Sequence, residues 1–460
     1  MSQARTNSTV ATEIGRFAQT VASGETMVPA DVRAMVRRLI IDVVGLCAAA
    51  RRTDYVQGCL AATEGKGLST AIGHRGRFTA IDAALINGTA AHGEDFDDTF
   101  EGGPVHAGAP VVPAVLAMAE RYGLAGESVV RAIAVGVEVM CRGSLVAPQA
   151  IHKAGFHPTA VLGAMATTAA LATLLKLPVE ATARALGIAG SMASGIIEYL
   201  ADGSSTKRLH AGLAAQSGIR AVLLARGGVS GPPTVFEGAH GFYKAFAPSK
   251  VPDFTRLTDD LGTHWVGATL AFKPFACGTM TQPYVDCAIA LARSGVKADD
   301  IVSMVCEVGE GTVHRLWEPL ALKQSPPNGY AAKFSTPDCI AVGFLSGDAG
   351  LLAFEDAAIM DPARRSLAAR ISHIVDPANP YPRAFTGHIR ATLRNGAVHE
   401  VRQPHMRGGV NAPLSDAEII AKYRANIRFG GWSAARGERV LARIEALVCG
   451  QAYDMKDARA

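Results

Sequence analysis

Between His157 and Lys176 the chain runs through PTAVLGAMATTAALATLL without a single charge. A proline suits the first helical position, and the alanines, leucines and methionine that follow are strong helix formers. A helix that is apolar on every side has to be surrounded, either by other helices or by lipid. Its centre is alanine rather than leucine and carries several threonines, so a buried helix of a soluble protein is the better reading than a membrane span. That one segment therefore demands a helical domain large enough to wrap it. The composition allows this: 460 residues, 49% hydrophobic against 19% charged, with 48 glycines to let helices approach closely. A chain of this length exceeds one ordinary core, and two domains are expected.

The flanking sequence supplies the wrapping. Residues 29–50 begin amphipathic and become wholly apolar, as in a helix entering a core. AIDAALINGTAA (80–91) and PVVPAVLAMAERYG (110–123) read as two more buried helices, the second stopped by Gly123. Residues 125–146 have helical spacing, with Glu127 and Arg131 at i and i+4. After Phe272 the pattern changes. IVSMVCEVGEG (301–311) alternates as a strand does, and Asn395-Gly396 sits between two alternating runs, a strong hairpin signal. Ser415 and Glu418 then form a capping box opening another helix, and a final helix runs through RVLARIEALV. The predicted architecture is mostly α: a helical domain of residues 1–268 and 405–460, with a smaller α+β domain, 269–404, inserted as a lid. Helices apolar on several faces also predict a buried interface between two copies, hence a homodimer.

The stretch with the most chemistry is HGEDFDDTFEGGPVH, from His92 to His106, which packs Glu94, Asp95, Asp97, Asp98 and Thr99 between two buried helices. Carboxylates held there need partners. One reading is a solvated acidic turn; the other is a pocket rim, with Asp95 or Asp97 orienting a base and His106 beside the next helix start. His157 immediately precedes Pro158, so it caps the buried helix where free N–H groups and the positive dipole end gather; a capping or core histidine would look the same. Lys207 and Arg208 follow a polar turn, Gly203 to Thr206, and open the helix that runs to Gly227. Cations at that end are misplaced by a few tenths of a kcal/mol, unless an anion, from a ligand or from the protein, lies against them. Three helix openings thus carry His106, His157 and Lys207. If they converge, the site suits removal of a proton from a small polycarboxylate. A mere anion-binding protein would need Lys207 and Arg208 but not two histidines and Asp95.

Several classes are excluded. A net charge of +4 without a basic run gives nucleic-acid binding no support. The eight cysteines are scattered with no C-x-x-C pair, which argues against disulfide scaffolds and zinc ribbons and fits a reducing cytoplasm. The polar N-terminus has no secretory pattern. No two of the thirteen histidines stand at i,i+4, and no stretch holds three cysteines; no metal or other cofactor is expected.

Taken together, HGEDFDDT, the later His106, GFHPTAVLGA, STKRLHAGLAAQSG, GPPTVFEGAHGF and AFKPFACGTMTQP resemble the 2-methylcitrate dehydratase (MmgE/PrpD) family, which also includes cis-aconitate decarboxylases and iminodisuccinate epimerases. The resemblance spans nearly the whole chain. It implies a large helical domain with a smaller lid and the active site in the cleft between them. It places the catalytic positions on Asp95, Thr99, His106, His157, Lys207 and Lys273, with Arg208, His210, Cys277 and Gln282 as substrate-binding candidates. The implied activity is β-elimination of water from a 2-methylcitrate-like di- or tricarboxylate, with decarboxylation or epimerisation of a related polycarboxylate as the alternative. The lid departs from the pattern. Where dehydratases carry a run close to proline–cysteine–cysteine–arginine–histidine–threonine–histidine, this chain has Ala276, Cys277, Gly278, Thr279, Met280, Thr281 and Gln282. Asp338 stands near the position of a tyrosine that decarboxylase members use.

Overall fold

A computed structural model describes residues 8–452 and 454–459. The protein is mostly helical with one four-stranded sheet. Its contacts divide it into two compact units. The first comprises the residues up to Gly93, Asp97–Leu270, and those from Glu418 on; the second comprises Glu94–Phe96 and Ala271–Ala417.

The first unit is built around the uncharged segment. Pro158–Leu174 is a helix in which every residue is buried, with His157 at its N-cap in extended conformation and Pro158 in the first turn. It packs against Gly126–Val146 and Thr206–Arg226, and Gly108–Tyr122 lies against it as well. Ala30–Ala50 follows its sequence pattern: its first turns are partly exposed, and from Leu39 on every residue is buried. Ala80–His92 starts at Thr79, whose hydroxyl accepts from the Asp82 N–H at 3.1 Å, and it runs one residue further than the apolar count suggested, so that His92 is its last residue. Buried charges in this unit are paired. Asp42 and Lys422 form an ion pair at 2.8 Å. Glu138 and Arg142 stand one turn apart on Gly126–Val146 with Nε 2.5 Å from the carboxylate.

The second unit holds the sheet, in the order Ile371–Val375, Ile301–Val308, Gly387–Leu393, Val398–Gln403. Ile301–Val308 pairs in parallel with the first, Met304 opposite Ile371, and antiparallel with the third, Met304 opposite Ala391. The last two strands form the hairpin signalled by Asn395-Gly396; Gly396 adopts φ 82°, the left-handed conformation such a turn needs. Gln282–Arg293 covers the sheet and Thr336–Ser346 packs against that helix, and Trp317, Ile340, Leu291 and Met304 lie in the resulting core. Among the described residues no helix is long and apolar enough to cross a membrane.

Candidate active site

The first unit gathers four imidazoles. His92, at the end of Ala80–His92, lies between two of them: its ring centroid is 5.1 Å from that of His106 and 5.4 Å from that of His157, with the His157 ring nearly parallel. His157 in turn faces His210, with centroids 5.2 Å apart and the two Nδ1 atoms at 3.0 Å. Tyr199 presents its edge to both of these rings. His92, His157 and His210 are buried, and the His106 side chain retains 12% exposure. Their placement follows from local structure. Two of the rings terminate or cap buried helices, His210 lies in the second turn of Thr206–Arg226, and His106 precedes Gly108–Tyr122.

The carboxylates of the acidic loop fix the ring orientations. Asp97 Oδ2 lies 2.7 Å from His92 Nδ1, while its Oδ1 lies 3.6 Å from His106 Nδ1. His106 Nδ1 is also 2.6 Å from the Asp98 carbonyl oxygen. A carbonyl can only accept, so that nitrogen carries the proton and His106 Nε2 holds the lone pair. The His106 N–H donates to the Thr159 hydroxyl at 3.2 Å, tying it to the first turn of the His157 helix. Asp98 turns the other way and accepts from the Gly108 N–H at 3.0 Å. A side chain at Gly108 would collide with that carboxylate, its Cβ falling 2.4 Å from Asp98 Oδ1. Burial and the adjacent Asp97 push the Asp98 carboxyl up to about 8, against the opposing pull of the Gly108 N–H.

The same burial keeps two of the imidazoles, His157 and His210, neutral. His157 is held well below its ordinary value, by desolvation first and then by His92, Lys207, His210 and His106. His210 is lowered to about 4 by desolvation, His92 and Lys207. A neutral imidazole in a dry site has a lone pair ready to take a proton and an N–H ready to give one, which is the equipment of general acid–base chemistry. His92 Nε2 is buried with no hydrogen-bond partner among the described residues.

His92, Asp97 and His106 also each bring one ligand atom within 4.8 Å of the others, the composition of a two-histidine, one-carboxylate metal site. With His106 Nδ1 donating to the Asp98 carbonyl, Nε2 is the His106 nitrogen that keeps a lone pair to offer.

The expected residues fall into two groups. His106, His157 and His210 come together, and Lys207, buried in the first turn of its helix, acts on His157 and His210 as a nearby positive charge. Thr99 is buried in the same loop. Arg208 is placed elsewhere: it donates to the Gly93 carbonyl at 3.2 Å and to Ser205, and its guanidinium lies over the Tyr55 ring. It therefore holds the end of Ala80–His92 rather than joining the imidazoles. The second group belongs to the second unit. Lys273 Nζ donates to the Asp95 carbonyl at 2.9 Å, and Lys333 donates to the Glu94 carbonyl and pairs with its carboxylate. Asp95 adopts φ 53°, a left-handed turn within the acidic loop. Of the two carboxylates offered by the sequence for orienting a base, Asp97 lies against His92 and His106. Cys277 and Gln282 form a closed turn: Gln282 Nε2 donates to the Phe275 and Cys277 carbonyls and to Cys277 Sγ, and its Oε1 accepts from the Phe275 N–H. Asp338 is paired with Arg364 in the interior.

Sequence reasoning did not place His92 or Asp98 in the site. The signal for His92 was present, since it stands in the acidic motif at the end of an apolar helix, but the ring's depth depends on where that helix stops.

Comparison with known proteins identifies the family. Residues 13–255 match the MmgE/PrpD N-terminal domain and residues 275–445 the MmgE/PrpD C-terminal domain. The chain is 29% identical over 365 residues to cis-aconitate decarboxylase from Mus musculus, covering 75% of this chain and 71% of that protein. The Homo sapiens enzyme of the same name is 29% identical over 359 residues, covering 75% and 72%. The one from Aspergillus terreus is 26% identical over 444 residues, covering 90% of this chain and 88% of that protein. With both domain models matched in order across most of its length, the chain belongs to the MmgE/PrpD family.

Proposed function

We propose that the protein is a lyase of a small polycarboxylate, acting through a carbanion-like intermediate at a carbon next to a carboxylate. The observation that carries this is His157, buried and held neutral, together with His106, their ring centroids 5.4 and 5.1 Å from that of His92, with Lys207 close by. A carbon acid next to a carboxylate is very weak, so forming its carbanion needs both a proton-transfer group at the carbon and positive charge to stabilise the developing negative charge. His157 and His106 supply the first. Lys207 supplies the second. Lys273 enters the proposal through the family resemblance.

Within that class, decarboxylation is the first reading. The relatives named above carry that activity, and loss of carbon dioxide requires only that the carbanion be protonated afterwards. Dehydration of a 2-methylcitrate-like hydroxy acid needs a further acid to protonate the leaving hydroxyl, and residues 276–282 offer neither histidine nor arginine for it. The engagement of Asp338 with Arg364 also leaves no tyrosine-like hydroxyl at that position, so the substrate need not be cis-aconitate itself.

The test is to incubate the purified protein in deuterated water with cis-aconitate, citrate, 2-methylcitrate and iminodisuccinate, following each by proton NMR. Release of carbon dioxide with one deuteron placed on carbon is the expected result. Loss of water would move the protein to the hydro-lyases, and exchange without loss to the epimerases. No exchange and no turnover with any of the four, together with unchanged behaviour of a His157→Ala variant, would remove the polycarboxylate reading.

A further inference from the structure

The His157–His210 contact has an unusual feature. Both rings meet through the same atom, Nδ1, at 3.0 Å in a buried setting. Two Nδ1 lone pairs facing each other would repel, and so would two N–H groups, so one proton lies between them and belongs to either ring. Each assignment sets the far nitrogens in opposite senses. With the proton on His157 Nδ1, His157 Nε2 is a base and His210 Nε2 carries a proton; with it on His210 Nδ1, the two far nitrogens exchange roles.

We infer that His210 is a positioning residue that passes protons to and from His157 through this Nδ1–Nδ1 hydrogen bond, so that His157 acts as acid or base without becoming charged. The inference rests on the proton-transfer role proposed for His157. In the carbanion-protonating direction, the His157 Nε2–H bond breaks and its proton forms the new C–H bond. His157 Nδ1 takes the proton from His210 Nδ1, and His210 Nε2 takes one from solvent. In the proton-abstracting direction every transfer reverses: the substrate C–H electron pair stays on carbon, one proton enters at His157 Nε2, and one leaves from His210 Nε2. In both cases the pair remains neutral.

Three further observations favour this. An imidazolium is strongly disfavoured at both rings, because burial and the nearby Lys207 charge oppose it; a relay removes the need to form one. The remaining titratable neighbours are His92, stacked on His157, His106 beyond it, and Tyr199, whose ring edge faces both imidazoles. On the outer side, His210 is covered by Gly195, which is partly exposed. A Cβ added there would lie 3.4 Å from Cδ2 and Cε1 of His210, the two carbons bonded to Nε2. The Gly195 carbonyl accepts from the His157 N–H at 2.8 Å, so this loop positions one ring while covering the other with no side chain.

The experiment compares His210→Asn, His210→Ala and the unaltered protein. Asparagine places an amide near the Nδ1 position, so it can hold His157 by a hydrogen bond but cannot pass a proton. The inference predicts that His210→Asn folds normally and keeps KM within about twofold, yet loses about 10²-fold or more in kcat. Its solvent-isotope proton inventory should change from curved to linear. Full activity in His210→Asn, with loss in His210→Ala, would show that the contact only positions His157 and would overturn the relay. A readout independent of turnover uses ¹⁵N-histidine NMR of the unaltered protein, with the single variants giving the assignments. The relay predicts intermediate, averaged Nδ1 shifts for both residues that stay constant from pH 5 to 8. One ring locked as donor and the other as acceptor would overturn it even if the polycarboxylate reading stands. Averaged shifts in a protein that turns over none of the four probes would leave the relay supported and place the failure in the choice of substrate.

Discussion

Two buried polar clusters in the first unit make an instructive contrast. On Gly126–Val146, Glu138 and Arg142 satisfy each other and everything around them. The Arg142 guanidinium donates to the carbonyls of Arg256, Asp259 and His264, at 3.3, 2.7 and 2.7 Å. Glu138 accepts from the N–H groups of Val266 and Gly267, at 3.1 and 2.7 Å. That cluster fastens the segment before Leu270 to the helix, and every donor has one fixed use. The imidazole cluster is built differently. It contains a hydrogen bond whose proton belongs to either ring, a His92 nitrogen buried without a hydrogen-bond partner, and bases kept neutral by desolvation. Saturated pairing holds a fold together; partial pairing of groups that titrate leaves proton positions open, which chemistry requires.

The contrast can be tested by breaking each cluster. Arg142→Met should cost the most stability, about 3–5 kcal/mol, because it leaves Glu138 charged and alone in the interior. Denaturant unfolding would measure this, and a loss under 1 kcal/mol would show that the pair is not the fastening it looks like. His157→Asn should do the opposite, losing about 10²–10⁴-fold in turnover while its unfolding midpoint moves little. A large loss of stability with turnover preserved would return His157 to a structural role.

Gly195→Ala comes next. Gly195 has φ 117°, and a Cβ there would come within 2.5 Å of the Ala160 Cβ. The strained backbone should cost about 1–3 kcal/mol, and the shift of the loop should lower activity through His157 and His210. A fully active, fully stable Gly195→Ala protein would show that the loop does not set those rings.

The contrast also extends to the pH dependence of stability. His210, lowered from 6.5 to about 4, and His157, lowered in the same direction, bind fewer protons folded than unfolded, so they lower stability as pH falls below 6.5. His74, also lowered to about 4, acts the same way. Asp98, raised from 3.8 to about 8, keeps its proton when folded, so it lowers stability as pH rises towards 8. Each group contributes a slope of about 1.4 kcal/mol per pH unit within its window. His314, also lowered, joins the histidines, and Asp338, also raised by burial, joins Asp98; four against two still gives a net rise from about pH 4 to 6.5, and above 6.5 the two carboxyls act without the histidines. Stability should therefore peak near pH 6.5, and Asp98→Asn, which can still accept from Gly108, should flatten the alkaline side. An Asp98→Asn profile identical to the parent would mean that Asp98 is ionised throughout.

Much of this protein is determined by local sequence. The uncharged run starting at Pro158 reads as a buried helix with His157 at its cap, and the structure has both. Thr79, Gly123 and Asn395-Gly396 mark boundaries because caps and turns depend on a few adjacent residues. The presence of His106, His157 and Lys207 at helix openings was legible for the same reason. Tertiary packing alone decided which of the carboxylates faces the imidazoles, since the turn at Asp95 sends Asp97 inward while the Asp95 carbonyl receives Lys273. It also decided that Arg208 anchors Gly93, that Cys277 closes on Gln282, and that His92 lies between two other rings. The long-range pairings among these, Asp95 with Lys273, Arg208 with Gly93 and His92 with His157, are neither periodic nor local, and their depth is set by the summed packing of each unit.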